Sequence, residues 1–382
     1  MSTHSATSSV PLLAGLDAPE LLNLLADGAY ITDRQRRIVF WNTAAERITG
    51  WPAEEVVGRG CHDNILMHVD KDGHPLCGHE HCPLHRSIVT GQPSPTPLLV
   101  FAQHKRRLRT PVEVMVSPVR NHAGEVIGGI EVFRDLTEHM QDQLRAQRIQ
   151  AAAVSCQLPS DERVEFETCY QPRDIVGGDF YRIECFEVDQ YALLIADAMG
   201  HGVAAALNTI QLRSLWNDHR AELRSPARFI EMLNNRLHAL VQREGYFGTA
   251  VYATYNAVTG QLTCVRAGHP SPLLFRSAGG SEAVGSRNPP LGMLPDSAYE
   301  ETTVQLEPHD TLLLFTDGAT EIPGGREGTL GADGLQRLAR AQTRDDDPAG
   351  FRLVALEQQL LQFSNQIHLP DDLTLIKLRR LH

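Results

Sequence analysis

The chain has 382 residues, of which 42% are hydrophobic, and a formal net charge of -12. That length predicts two domains rather than one core, and the apolar fraction excludes wholesale disorder. The acidic surplus argues against nucleic-acid binding through phosphates, and no apolar run is long enough to span a bilayer.

Residues 1–18 carry Ser, Thr, Pro and Gly and read as a flexible tail. Met1–Val10 has no basic stretch leading into an apolar core, so no secretory signal is expected and a cytoplasmic protein is. Seven cysteines, spread over both halves, are then expected as thiols or ligands and not as a disulfide framework.

Residues 19–134 alternate short strands and helices. Leu21–Leu25 is a helical patch. Ala29–Thr32 and Ile38–Trp41 are strand-like, with Asp33-Arg34-Gln35 turning between them. Pro111–Pro118 and Val126–Phe133 read as two further strands about a turn at Asn121–Gly124. From Asp135 to Leu158 no Gly or Pro interrupts the chain. Leu136, Met140 and Leu144 recur every fourth residue among polar neighbours, which predicts a connecting helix stopped by Pro159. Its spacing suits weak pairing of two chains.

From 159 to 382 short strands return, clearest at Tyr191–Ala196, Thr249–Tyr255, Leu262–Ala267 and Thr311–Phe315. Helical stretches fall at Val203–Trp216, Pro226–Arg243 and Gly350–Phe363. Strands and helices in separate blocks predict an α+β fold with two antiparallel sheets covered by helices.

Acidic residues recur at strand ends: Asp179 after Val176-Gly177-Gly178, Asp197 in Ile195-Ala196-Asp197-Ala198, Asp317 in Phe315-Thr316-Asp317-Gly318, and the pair Asp371-Asp372. A carboxylate at a core edge is costly unless its charge is compensated. Converging carboxylates repel, and a hard divalent cation resolves the conflict. Taken singly each motif is weak: an Asp-Gly after a strand is more often a turn, and Gly177-Gly178 reads equally as a bulge.

Together, in order, these motifs resemble the PPM-type serine/threonine phosphatases of the bacterial SpoIIE/RsbU-like branch. The matching segments are Tyr170-Gln171-Pro172 with Val176–Tyr181, Asp197–Gly202 with Ala204–Leu207, Ala267-Gly268-His269-Pro270, Pro290-Leu291-Gly292, Leu312–Gly318 and Asp371–Thr374. The resemblance implies an αββα sandwich holding two manganese or magnesium ions. By position, Asp197 would bridge them, Asp179, Asp317 and Asp371 would complete the shell, and Ala198 would offer its carbonyl. Asp372 is the less favoured of its pair, and His201 is a candidate proton donor to the leaving oxygen. The implied chemistry is in-line attack by an activated water on a phosphoprotein, in this branch an anti-sigma-factor antagonist of the STAS fold. A cysteine phosphatase is excluded, because no cysteine is followed six residues later by arginine. Arg182 replaces the acidic residue common after Phe-Tyr, so a non-catalytic binding module is the rival reading.

Residues 19–134 resemble a PAS sensor domain, through Asp27-Gly28-Ala29-Tyr30, Phe40-Trp41-Asn42, Thr49-Gly50-Trp51 and Gly128-Gly129 to Asp135-Leu136-Thr137. A homodimer through this domain and the linker is expected. Within it, Cys61, His62, His68, His74, Cys77, His79, His81, Cys82 and His85 crowd one insertion. Such thiols and imidazoles suit zinc, iron or a cluster, or a redox sensor acting through dimerisation. The blander alternative is a polar surface loop with incidental histidines. Gly58-Arg59-Gly60-Cys61 faintly resembles a flavin-thiol photosensor motif, but the residues after Cys61 do not match it.

Overall fold

The computed structural model describes residues 17–78, 81–198, 200, 202–241, 248–324, 328–344, 347–364 and 369–382. The chain divides into two compact units after Asp142.

The first unit is one antiparallel sheet with small helices. It holds α1 (Ala18–Asn23), β1 (Gly28–Asp33), β2 (Ile38–Trp41), α2 (Thr43–Thr49), α3 (Ala53–Val56), α4 (Pro83–Thr90), β3 (Leu98–Gln103), β4 (Arg109–Arg120) and β5 (Val126–Asp135). The strands lie in the order β2-β1-β5-β4-β3, so the first and last hairpins are joined by the central β1–β5 pair. Alternate residues of β4 and β5 turn Val112, Val114, Val116 and Phe133 into the core with Tyr30, Trp41 and Ile38. Asn42 fixes the β2–α2 corner. Its Oδ1 accepts from Ala29 N and Ala45 N, both at 2.8 Å, and the latter bond caps α2.

Sequence reading left β3 and α4 unassigned, because the histidine-rich segment before them masks the pattern. It also ran the connecting helix too far. The observed helix, α5 (Thr137–Val154), ends before Pro159. Beyond it Cys156 turns in beside the sheet, where its Sγ lies 3.4 Å from Ile183 N, which donates to it. Tertiary packing ends the helix, not the proline.

The second unit continues with β6 (Val164–Gln171), β7 (Asp179–Glu187), β8 (Gln190–Ala198), α6 (Val203–Asp218), α7 (Pro226–Val241), β9 (Gly248–Asn256), β10 (Gln261–Ala267), β11 (Leu273–Phe275), β12 (Ser281–Ala283), β13 (Thr302–Gln305), β14 (Thr311–Phe315), α8 (Gly331–Arg340), α9 (Leu353–Ser364) and β15 (Leu373–Arg380). Two antiparallel five-stranded sheets form, β13-β10-β9-β8-β7 and β12-β11-β14-β15-β6. Three cores show how they stack. Leu193, Ile195 and Val251 of the first sheet meet Leu312, Leu314, Ile376 and Leu378 of the second. The opposite face of β8, Ala192, Leu194 and Ala196, packs with Leu212, Trp216, Phe229 and Leu233 of α6 and α7. Leu313, Phe315 and Leu375 pack with Leu335, Leu356 and Leu360 of α8 and α9. Helix, sheet, sheet, helix is therefore the layer order, and strands buried on both faces explain why β8 and β14 are nearly all apolar.

Candidate metal centre

The four expected aspartates meet at one end of the two facing sheets. β7 begins at Asp179 and β8 reaches Asp197, and the two are direct cross-strand partners. Asp317 lies two residues beyond the end of β14, and Asp371 and Asp372 immediately precede β15. Antiparallel pairing of β14 with β15 places those loops at the same edge.

Two threonines tie the sheets together there. Thr316 Oγ1 donates to Asp179 Oδ2 at 2.8 Å, and Thr374 Oγ1 donates to the same oxygen at 2.6 Å. Thr374 N in turn donates to Thr316 Oγ1 at 2.9 Å. Asp179 is fully buried. Burial and the neighbouring Asp197 push its carboxyl well up, against the pull of the two hydroxyls. Sequence reading missed both threonines. Thr316 adjoins Asp317 and Thr374 lies two residues after Asp372, so their hydroxyl chemistry was the available signal.

Asp197 and Asp317 are half-buried. Burial, then Asp317 and Asp371, push Asp197 up to about 7, and burial, Asp371 and Glu321 push Asp317 up to about 6. Glu321 is a further acid at this edge that sequence reading did not single out. It follows Asp317 by four residues, and its N–H donates to Asp317 O at 2.7 Å.

The adjacent pair splits its work. Asp372 accepts from Arg173 N at 2.7 Å and Gly178 N at 2.6 Å, so both its oxygens hold the loop before β7. Asp371 is exposed, and its Oδ1 accepts the N–H of Asp372 at 2.8 Å. Gly178 must be glycine because a Cβ there would lie 2.7 Å from the Ala198 carbonyl oxygen. Gly318 is tighter still, since a Cβ would reach 1.9 Å from Asp372 O. Arg182 sits three pairs along β7, with Nε 3.8 Å from Glu184 Oε2. His269 is buried, hydrogen-bonds Thr249 Oγ1 through Nδ1 at 2.7 Å, and burial lowers its imidazole to about 3. His201 lies outside the described residues.

The cysteine- and histidine-rich insertion is only partly a surface loop. Cys61, His68 and Cys82 are buried in the first unit and Cys77 is half-buried. His81 is exposed, His62 and His85 are half-buried, and His79 lies outside the described residues. Among the described residues, one set of three metal-type ligands lies within 4.8 Å of one another, Asp70, Asp72 and His74. It is an exposed turn closed by its own bonds, Asp72 N and His74 N to Asp70 Oδ1.

An N-terminal PAS fold followed by a PP2C-like phosphatase fold is the class that these two units define. The chain belongs to the SpoIIE family: residues 187–381 match the family described as Stage II sporulation protein E (SpoIIE), and residues 22–141 match the PAS fold. It is similar to phosphoserine phosphatase RsbP of Bacillus subtilis, 27% identical over 179 residues, which are 46% of this chain and 44% of that protein. It is also similar to phosphoserine phosphatase RsbU of Bacillus subtilis, 26% identical over 256 residues, 65% of this chain and 73% of that one. The chain thus spans under half the length of RsbP. The SiaA-PP2C domain of Pseudomonas aeruginosa shares the fold, with a TM-score of 0.55 at 23% identity, over 63% of this chain and 97% of that one. Among the described residues no helix is long and apolar enough to cross a membrane.

Proposed function

We propose that the chain is a sensor-regulated, manganese- or magnesium-dependent protein serine/threonine phosphatase. One observation carries the reading: Asp179, Asp197, Asp317 and Asp371 converge from two sheets, and burial with mutual repulsion raises the first three. An all-oxygen carboxylate set fits hard divalent cations, and among the described residues Asp179 and Asp371 are bonded by hydroxyls and a backbone N–H rather than by a cation. Asp197 is the bridging candidate, with Asp179, Asp317, Asp371 and the Ala198 carbonyl around it. Bound ions of this kind supply the Lewis acidity that activates water and offsets phosphate charge. The chain's own part is to aim the ligands. Thr316 and Thr374 fix one oxygen of Asp179, and Asp372 fixes the backbone that precedes it.

RsbP and RsbU are named phosphoserine phosphatases, which supports phosphoserine or phosphothreonine as the group attacked. The family resemblance extends this to a regulatory phosphoprotein, an anti-sigma-factor antagonist of the STAS fold. Leu144 and Ile149, exposed on α5, support pairing of two chains along that helix.

The test is phosphate release from a phosphoserine protein substrate under manganese titration. Asp197→Asn and Asp317→Asn each lose more than about 100-fold in turnover, since even outer-shell partners of a metal are worth 10–100-fold. Circular dichroism stays unchanged. Near wild-type turnover by either variant at saturating manganese sinks the assignment. A wild-type chain with no manganese-dependent release favours instead the binding module suggested by Arg182.

A further inference from the structure

The PAS unit buries a second set of acid groups that the phosphatase reading does not use. Tyr30 and Glu131 are cross-strand partners on β1 and β5. Tyr30 Oη donates to Glu131 Oε2 at 3.0 Å. Glu131 is 2% exposed, and its other oxygen, Oε1, has no hydrogen-bond partner. That oxygen faces His68, whose Nε2 lies 3.7 Å away. His68 is buried too, and its backbone N–H lies 3.1 Å from Cys77 Sγ.

The other two thiols come to the same place by different routes. Cys61 N donates to Arg36 O at 3.1 Å, while Arg36 Nη1 donates to Gly78 O at 2.7 Å. One arginine thus laces the Cys61 turn to the Cys77 turn. Cys82 is the residue before α4 and packs with Cys61 in one core. Cys61 and Cys82 share one buried cluster with Tyr30, and Cys77 Sγ lies beside the backbone of the buried His68.

Two guanidinium groups act there, Arg36 on the Cys61 and Cys77 thiols and Arg109 on His68. Burial, then the other acids, pushes the Cys61 thiol up, and burial with Cys82 pushes Cys77 up to about 11. Burial alone pushes Glu131 up to about 8, against the Tyr30 bond that lowers it. Burial lowers His68 to about 4, so its imidazole is neutral and free to donate a lone pair. Arg36 is the cation that acts on Cys61 and Cys77, and its guanidinium is already committed to Gly78. An unpartnered carboxyl oxygen this deep costs roughly 1–3 kcal/mol. Three thiols, a neutral imidazole and that carboxyl group, once deprotonated, are the ligand types of a soft divalent ion.

We propose that the PAS unit binds one zinc ion through Cys61, Cys77 and Cys82, with the fourth ligand from the His68–Glu131 pair. Binding releases the thiol protons to solvent as three sulfur–zinc bonds form, with no change of oxidation state. The sulfurs are spread wider than the 4.8 Å that encloses the Asp70 turn, so the ion draws them in.

The experiment uses the full chain, purified in reducing buffer without chelator. Elemental analysis finds one tightly held zinc per chain. Replacing zinc with cobalt(II) gives a sulfur-to-cobalt charge-transfer band in the near ultraviolet. The phosphatase aspartates offer only oxygen, so cobalt there gives no such band. Cys77→Ser, at the least buried of the three sulfurs, loses zinc or weakens the band by one thiolate's share. Asp197→Asn leaves the band unchanged. The wild-type spectrum decides the matter even if Cys77→Ser does not fold. Absence of zinc with no cobalt band overturns the proposal. A band of equal strength in folded Cys77→Ser overturns it, as does iron in place of zinc.

Discussion

At the scale of single residues, the acid edge is built by hydroxyls as much as by carboxylates. Asp179 is the most buried of the four candidate ligands, and Thr316 and Thr374 both donate to its Oδ2. Fixing one oxygen of a ligand carboxylate is what outer partners do in metal centres. Thr374→Val keeps the shape and removes one donor. It is expected to weaken manganese affinity by about 10–100-fold while turnover at saturating manganese falls less. The check is a manganese titration of phosphate release, read separately for half-saturation and maximum. Equal loss in both, or in neither, contradicts the role. The aspartates were legible because each ends or begins an apolar strand, and charge at a core edge asks for a reason. The threonines were not, because a β-branched residue at a strand end already has an ordinary explanation. The preference for Asp371 over Asp372 came from the family resemblance and not from the residues' own pattern. The distinction rests on which backbone N–H groups fold back onto the carboxylate, and that is tertiary information.

Among elements, α5 reaches the acid edge through one side chain. Gln150 is buried, its Nε2 donates to Gly177 O at 2.5 Å and to Thr209 Oγ1 at 3.2 Å, and its Oε1 accepts Gly177 N at 3.1 Å. Gly177 lies two residues before Asp179, and Gly178 N is held by Asp372. The helix therefore clamps the backbone from one side while the β15 entry clamps it from the other. Gln150→Ala strands a buried N–H and C=O, at a cost of about 1–3 kcal/mol. The expected result is a lower melting temperature of the second unit together with a higher manganese requirement. Gln150→Glu restores only an acceptor and so only part of the loss. Periodicity marks Leu136, Met140 and Leu144 as the helix's meaningful face, and it is Gln150 that binds the Gly177 loop. A polar residue at a buried helical position has no periodic signature. The strands of the second unit were legible where both faces are buried, as in β8 and β14. Short strands such as β11 and β12, three residues each, carry too few side chains to show a period.

For the whole molecule, the order of PAS unit, helix and phosphatase fold frames how a signal could reach the acid edge. The boundary between the compact units falls within α5, after Asp142. Asp135 Oδ1 accepts Thr137 N at 2.8 Å where the helix leaves β5, and Gln150 holds the Gly177 loop near its other end. An unbroken helix transmits rotation or shear, and a flexible segment does not. Change in the PAS core is then expected to alter metal occupancy and not the chemistry of the bound state. Four Gly/Ser residues inserted after Leu144 break the helix without touching any aspartate, Thr316 or Thr374. Hydrolysis at high manganese survives in that variant. The reporter of coupling is Tyr30→Phe, which removes the Oη donor to Glu131 in the PAS core. In the intact chain it shifts the manganese concentration for half-maximal phosphate release, and in the insertion variant that shift disappears. If Tyr30→Phe shifts half-saturation equally in both backgrounds, or in neither, α5 is a tether and regulation runs by another route.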